Sequence, residues 1–284
     1  MAQGGAGGLP VPRTAEGRAG LAAILHDPGA ALIATDFDGT LAPIVADPRD
    51  ARADEEAVAA LRSLAGLAGT VAVITGRPAG EAVELGGLSE VPGLIVLGHY
   101  GGERWQDGSL TSPPPRPGVE AARARLPGVL ADAGAPEGVR IEDKGSAVAV
   151  HTRGTADPQG VLAALADPLG GLAAATGLIC EPGRLVIELR PPGMDKGSAL
   201  TALAAERNSG AILFAGDDLG DLPAFGAVRA LRAAGHPGLT VCSSSDEVSE
   251  VAAEADLVVA GPPGFADLLG ALARSLAAPP RPAP

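Results

Sequence analysis

Short apolar runs, each followed by a turn and then by a helical segment, recur through most of this chain. The runs lack the polar alternation of a half-exposed strand, so they are typical of strands buried on both faces. Strands that alternate with helices form βαβ units and build a parallel sheet wound on both faces. We predict six such strands, at residues 30–35, 71–74, 94–97, 211–215, 239–242 and 257–259.

The pattern changes after a Pro-rich stretch at 112–117, which we interpret as a linker. Two segments with alternating polarity, 139–144 and 147–153, flank Gly145-Ser146 as in a hairpin. A helix at 158–175 and a second hairpin about Pro182-Gly183 follow. The alternation of apolar strands and helices resumes at residue 191. The sequence therefore predicts an α/β fold, a doubly wound Rossmann-like core interrupted by an inserted α+β domain.

The domain boundaries follow from these changes in pattern. The Gly- and Pro-rich start of the chain favours disorder, and we expect a short helix at 18–25 to follow it. The predicted divisions are a disordered tail at 1–17, the core at 18–111 and 191–276, the inserted domain at 112–190, and a second disordered tail at 277–284.

The net charge of −13, with no basic run, argues against nucleic acid or an anionic membrane as a partner, because both carry negative charge. The first twenty residues contain no apolar block of signal-peptide length. No stretch approaches the roughly 20 apolar residues that span a bilayer. We expect a cytoplasmic protein that is a monomer or a small homo-oligomer.

Polar clusters mark the places where core strands end and one core helix begins. Asp36 and Asp38 follow the first strand, and Thr75 follows the second. Asp217, Asp218 and Asp221 follow the fourth, while Lys196 opens the helix before it. One such Asp could simply cap a turn. Four clusters at the ligand-binding edge of a parallel sheet instead predict an active site.

The acidic residues of this edge predict a cation. Five aspartates bring about five negative charges to one site, and a phosphate substrate would add more. Lys196 cannot neutralise this charge by itself. The donors are all oxygen, which selects a hard divalent ion, most naturally Mg²⁺.

These residues carry a resemblance to a known family. In chain order, Asp36-Phe-Asp-Gly-Thr-Leu41, Thr75-Gly-Arg77, Asp195-Lys-Gly197 and Gly216-Asp-Asp-Leu-Gly-Asp221 resemble the four motifs of haloacid-dehalogenase-type phosphatases. The resemblance implies that Asp36 is the nucleophile and Asp38 the general acid and base. It implies that Thr75 and Lys196 hold the phosphoryl group. The implied Mg²⁺ ligands are Asp36, the backbone carbonyl of Asp38, and Asp217, with Asp218 or Asp221 assisting.

The inserted domain then corresponds to the cap that selects the substrate. Strand alternation places Glu142 with Lys144 on one face, and His151 with Arg153 on a face of the partner strand. Together with Glu188, this spacing is similar to that of trehalose-6-phosphate phosphatases, and it implies that these five residues bind the sugar. The same resemblance suggests substrate-binding roles for Arg77 and His99. An ordinary solvated sheet face is the simpler alternative for the cap residues.

Two other functions stay open at this point. The core motifs do not exclude a phosphatase acting on another small sugar phosphate, such as sucrose phosphate or mannosyl-phosphoglycerate; only the pattern of cap residues argues against it. A catalytically silent sugar-phosphate sensor is the alternative from a different class. The intact Asp36, Asp38, Lys196 and Asp217 argue against a sensor, because binding alone needs no nucleophile beside an acid.

Overall fold

The computed structural model describes residues 8–112, 114, 116–183, 185–244 and 249–278. Its chain divides into two compact units. The first unit is built from the residues up to Thr111 and from Asp195 onward, and the second spans Ser112–Met194.

In the first unit, strands and helices alternate along the chain, and the second unit is inserted into this alternation. Up to Thr111 they are α1 (Ala15–His26), β1 (Ala31–Thr35), α2 (Glu55–Ala65), β2 (Thr70–Ile74), α3 (Ala79–Gly86), β3 (Ile95–Gly98), β4 (Glu103–Gln106) and β5 (Ser109–Thr111). The second unit contains α4 (Pro117–Asp132), β6 (Arg140–Asp143), β7 (Val148–His151), α5 (Pro158–Thr176), β8 (Ile179–Gly183) and β9 (Val186–Arg190). The first unit resumes with α6 (Lys196–Glu206), β10 (Ala211–Gly216), α7 (Leu222–Ala233), β11 (Gly238–Ser243), α8 (Ser249–Glu254), β12 (Leu257–Val259) and α9 (Gly261–Ala277).

The first unit contains one eight-stranded sheet, in the order β12-β11-β10-β1-β2-β3-β4-β5. The six strands that the sequence predicted pair in parallel, while β4 and β5 add an antiparallel edge. Side chains of β1 alternate between two apolar clusters: Ile33 packs with residues of α2 and α9, and Leu32 packs with residues of α6 and α7. Helices therefore cover both faces, which confirms the doubly wound α/β prediction.

The β4–β5 hairpin was not predicted. Its strands are short and half-exposed or exposed, so they lack the apolar runs that identify buried strands. The turn between them, Asp107-Gly108, has φ values of 50° and 78°. Asp-Gly is the residue pair that such a two-residue hairpin turn favours, so the sequence does contain a local signal for it.

The second unit packs two helices against a four-stranded antiparallel sheet in the order β6-β7-β9-β8. Its core includes Val148 and Val150 of β7 together with Ile187 and Leu189 of β9. Ile141 of β6 pairs with Val150, but it is 39% exposed because β6 lies at the sheet edge.

Helix α4 was also missed, because Pro127 lies within it and suggests a break. Its buried residues, Val119, Ala122, Leu126 and Leu130, recur at helical spacing. Pro117 at the start of the helix is a typical first-turn residue. The predicted linker at 112–117 lies partly outside the described residues, as do residues 1–7 and 279–284 of the two predicted tails.

Residues 8–17 differ from the disordered tail that we expected. The predicted helix at 18–25 begins earlier, at Ala15, and Thr14 caps it by accepting a hydrogen bond from the amide of Gly17. The Arg13 guanidinium donates to the carbonyls of Ala252 and Ala255. These contacts with the end of α8 hold a segment whose composition suggested flexibility.

Among the described residues, no helix combines the length and apolar character needed to cross a bilayer.

Candidate active site

Sheet topology brings the first and last motifs together. Strands β1 and β10 are parallel neighbours, with Thr35 opposite Ala215. The hydrogen bonding between β1 and β10 continues one residue beyond β1, since the amide of Asp36 donates to the carbonyl of Ala215 over 2.8 Å. Asp36 and Asp217 therefore leave adjacent strands at the same carboxyl-end edge, as predicted.

Lys196, the first residue of α6, joins two of the aspartates. Its Nζ lies 2.8 Å from Oδ1 of Asp36 and 2.7 Å from Oδ1 of Asp221. All three side chains are buried, with at most 6% of their surface exposed. The Asp195 carboxylate accepts from the amide of Ser198 and so fixes the start of the helix that carries Lys196.

Asp221 orders the loop after β10. Its Oδ2 accepts from the backbone amides of Asp217, at 2.9 Å, and of Asp218, at 3.1 Å. On the opposite side of Asp217, the Thr40 hydroxyl donates to its Oδ1 over 3.4 Å. Asp218 is exposed, in contrast to Asp217 and Asp221. Thr40 lies within the first motif, but it was not predicted as a site residue because a Thr in a turn has no distinctive spacing of its own.

Gly39 permits this close assembly. It has a φ of 74°, and a Cβ there would lie 2.0 Å from a carboxylate oxygen of Asp217. Any larger residue would combine backbone strain with a direct clash. The Gly in the first motif is thus explained by the approach of the last motif.

Burial and mutual repulsion shape the ionisation of this group. Burial raises the pKa of Asp36 well above its ordinary value; Lys196 opposes the shift, and Asp221 and Asp217 add to it. Burial, with Asp221 and Asp218, raises the pKa of Asp217 to about 7. Burial by itself would lower the pKa of Lys196, but Asp221 and Asp36 reverse this and raise it well above its ordinary value.

The acidic group has the chemistry of a metal site. Asp36, Asp217 and Asp221 each offer one carboxylate oxygen, and these atoms lie within 4.8 Å of one another. A buried all-oxygen donor set with excess negative charge fits a hard divalent cation.

Thr75 and His99 occupy neighbouring positions on the same edge. Thr75 is buried after β2, and its hydroxyl oxygen accepts from the amide of Arg77 over 3.1 Å. His99 is buried after β3, with Nδ1 3.6 Å from the Glu103 carboxylate. His99 and Tyr100 both have positive φ values, 47° and 57°, a backbone conformation that is uncommon for residues other than Gly.

Asp38 is paired with Arg77. The Nε and Nη2 of Arg77 each donate to one carboxylate oxygen of Asp38, both over 2.7 Å. The Nη1 of Arg77 donates to Glu81 over 2.5 Å. Glu81 was missed, although it stands four residues after Arg77, a spacing at which opposite charges can meet at a helix.

Most of the predicted sugar-binding residues share one face of the second unit's sheet. Cross-strand register places Glu142, Ala149 and Glu188 side by side. Lys144 contacts Glu188, and His151 Nε2 lies 2.6 Å from Glu142. Arg153 is exposed in a turn beyond the end of β7, so it does not extend the strand as we expected. Thr152, between His151 and Arg153, is fully buried.

Comparison with known proteins assigns the chain to a family. The trehalose-phosphatase family model matches residues 34–263, which include the acidic group and the polar face of the second unit. The chain belongs to the trehalose-phosphatase family. This confirms the resemblance read from the motifs.

Individual relatives carry consistent names. The chain is 35% identical over 257 residues to a trehalose-phosphate phosphatase of Mycobacterium marinum, covering 85% of this chain and 61% of that protein. It is 39% identical over 203 residues to a trehalose-phosphate phosphatase of Mycobacterium avium, covering 68% of this chain and 50% of the relative. The chain thus spans between half and two thirds of these curated relatives.

Solved structures share the fold of this trehalose-phosphatase family member at low sequence identity. Trehalose-6-phosphate phosphatase of Aspergillus fumigatus aligns with a TM-score of 0.69 and 22% identity, over 93% of this chain and 99% of that one. The C-terminal domain of a Candida albicans trehalose synthase regulatory protein aligns with a TM-score of 0.62 and 15% identity, over 85% and 92% of the two chains. Since one of the two is named a regulatory protein, the site residues must decide function.

Proposed function

We propose that this protein hydrolyses trehalose 6-phosphate to trehalose and phosphate through a phospho-aspartate on Asp36. The observation that carries the proposal is the shared contact of Lys196 with Asp36 and Asp221, in a chain of the trehalose-phosphatase family. A carboxylate approaches a dianionic phosphate only when nearby positive charge masks the repulsion. Lys196, buried beside Asp36, would supply this positive charge.

Each residue of the site has a role in this proposal. Asp36 attacks phosphorus, and the bond to the sugar oxygen breaks as Asp38 protonates that oxygen. Water then attacks phosphorus, Asp38 takes up a proton from that water, and phosphate leaves Asp36 with its carboxylate restored. Thr75 and Lys196 would hold the phosphoryl group between these steps.

We further propose Mg²⁺ as the cofactor. Asp36, Asp217 and the backbone carbonyl of Asp38 would hold the ion. Asp221, rather than the exposed Asp218, would be the additional carboxylate ligand. When bound, the ion would neutralise phosphate charge and favour the ionised aspartates.

The polar face of the second unit would recognise the sugar. Glu142, Lys144, His151 and Glu188 present hydrogen-bonding groups on one sheet face, and Arg153 lies in the turn that follows β7. The core residues Arg77 and His99 were also predicted to bind substrate. The cytoplasmic location and the oligomeric state stay predictions of the sequence.

Phosphate release from a panel of sugar phosphates tests this function. The panel holds trehalose 6-phosphate, sucrose 6-phosphate, mannosyl-phosphoglycerate and glucose 6-phosphate, each with Mg²⁺ and again with excess EDTA. We expect fastest release from trehalose 6-phosphate and none with EDTA. A faster reaction with another member of the panel would contradict the substrate, and binding without release would favour a sensor.

A further inference from the structure

Arg77 is held from several sides by groups of its own unit. Its three guanidinium nitrogens all donate hydrogen bonds, two of them to Asp38 and one to Glu81. Its guanidinium carbon lies 5.6 Å from the centre of the Phe37 ring, within the range of a cation–π contact. The side chain is 10% exposed. An arginine engaged in this way is better suited to orienting a neighbour than to capturing a substrate.

The neighbour that Arg77 orients is Asp38. A guanidinium fork contacting both carboxylate oxygens fixes the plane and direction of the carboxylate as well as its position. Without Arg77, the Asp38 side chain, which is 39% exposed, would be free to rotate into solvent. Glu81 and Phe37 in turn restrain Arg77, so the four residues form a connected support.

Fixing the Asp38 carboxylate should matter most for the second step of the reaction, the hydrolysis of the phospho-aspartate. After Asp38 has given its proton to the sugar oxygen, both of its carboxylate oxygens can accept hydrogen bonds from Arg77, and in that form it is the proton acceptor that the second step needs. In that step a water oxygen forms a bond to phosphorus, and the bond between phosphorus and Asp36 breaks with its electron pair returning to the carboxylate. One proton of the water passes to Asp38.

We propose that Arg77 is a positioning residue that aims Asp38 as the general base for hydrolysis of the phospho-aspartate. The inference rests on the proposed function, since it needs a phosphoryl group on Asp36. It assigns Arg77 a role different from the substrate contact that the family resemblance suggested.

p-Nitrophenyl phosphate separates the two steps. Its leaving group departs without a proton, so the first step needs no acid, whereas the second still needs the base. Wild type and Arg77→Lys are mixed with this substrate and Mg²⁺, p-nitrophenolate is followed in a stopped-flow instrument, and phosphoenzyme is measured after acid quenching. For Arg77→Lys we expect kcat to fall roughly 10-fold or more. We also expect a burst of p-nitrophenolate and a larger steady-state fraction of phosphoenzyme than in wild type.

Two further variants keep the test sharp. Glu81→Gln loosens Arg77 while leaving it in place, so it should raise the phosphoenzyme fraction in the same direction by a smaller amount. Arg104→Lys is the matched control, because Arg104 forms a similar two-point pair with Glu206 on the surface of the same unit. It should behave as wild type.

The contradicting outcomes are distinct. A fall in kcat without any rise in phosphoenzyme, in both Arg77→Lys and Glu81→Gln, would overturn the positioning role. A rise in KM with unchanged kcat would return Arg77 to substrate binding. Wild-type protein that releases no phosphate would overturn the proposed function itself, and this inference with it.

Discussion

Lys196 is the residue on which the charge balance of the site depends. It is buried between Asp36 and Asp221, each within 2.8 Å of its ammonium nitrogen. Only two of the 21 basic side chains in the sequence are lysines, Lys144 and Lys196, so arginine is otherwise the usual cation of this chain. A compact ammonium can contact two carboxylates and a phosphoryl oxygen at once, whereas a planar guanidinium is wider.

Replacing this lysine by arginine tests the geometric argument. Lys196→Arg keeps the charge but should lower kcat at least about 10-fold, which is ~1.4 kcal/mol of transition-state stabilisation. We expect little change in thermal stability, which circular dichroism on the same sample would check. Wild-type kinetics in Lys196→Arg would show that net charge is enough at this position.

At the scale of elements, Asp256 joins segments that are far apart in sequence. Its carboxylate accepts from Thr14 before α1, from Arg232 of α7, and from the amide and hydroxyl of Thr240 in β11. It is 2% exposed. Burial by itself would raise its pKa, but the hydrogen bonds from Arg232 and Thr14 outweigh that effect and lower it.

The stability of the first unit should therefore depend on Asp256 and on pH. A carboxyl group whose pKa is lower in the folded than in the unfolded protein stabilises the fold at pH values above its unfolded pKa. That stabilisation is lost as the pH falls through the folded pKa. Asp256→Asn should cost about 3 kcal/mol of unfolding free energy at pH 7, because it leaves Arg232 without its buried counter-charge. The difference from wild type should shrink below about pH 4.

Urea unfolding from pH 7 to pH 3 measures this effect. Asp50→Asn, at an exposed position after the first motif, is the control and should follow wild type at every pH. A difference between Asp256→Asn and wild type that stays constant over this range would mean that the ionised carboxylate does not stabilise the fold.

The elements also show how far the sequence could lead. Buried parallel strands such as β1 and β10 were predicted because five or six consecutive buried residues leave a continuous apolar run. Helix α4 was missed because the Pro within it suggests a break. The β4–β5 hairpin was missed because its half-exposed strands contain no continuous apolar run.

The site shows a similar limit. The sequence predicted that Asp36 and Asp217 share one edge of a parallel sheet, and the structure adds that their strands, β1 and β10, are direct neighbours. The pairing of Asp38 with Arg77 depends on side-chain directions in two separate loops, which periodicity does not specify.

At the scale of the whole molecule, the two units should contribute different parts of the activity. The first unit holds the acidic group and Lys196, and the second presents the polar sheet face with Glu188. Recognition of a sugar far from the reacting atoms can raise kcat as well as lower KM.

Substitutions in the second unit should therefore distinguish substrates. Glu188→Ala and Arg153→Ala should reduce kcat/KM for trehalose 6-phosphate by more than 10-fold, on the order of the loss of one or two charged hydrogen bonds. Hydrolysis of p-nitrophenyl phosphate should change little. Glu120→Ala and Arg125→Ala, at exposed positions of α4, are the controls. Equal losses with both substrates would mean that these residues serve folding.

The measurement that tests the central claim most directly is the location of the phosphoryl group during turnover. Wild-type protein would be mixed with trehalose 6-phosphate and Mg²⁺, quenched in acid within the first turnover, digested, and analysed by mass spectrometry. We predict one phosphoryl group on the peptide that contains Asp36, and none on that peptide in Asp36→Asn, whose turnover should fall by more than about 10³-fold. Phosphate release without a phosphorylated Asp36, or Asp36→Asn retaining a tenth of wild-type activity, would contradict the account.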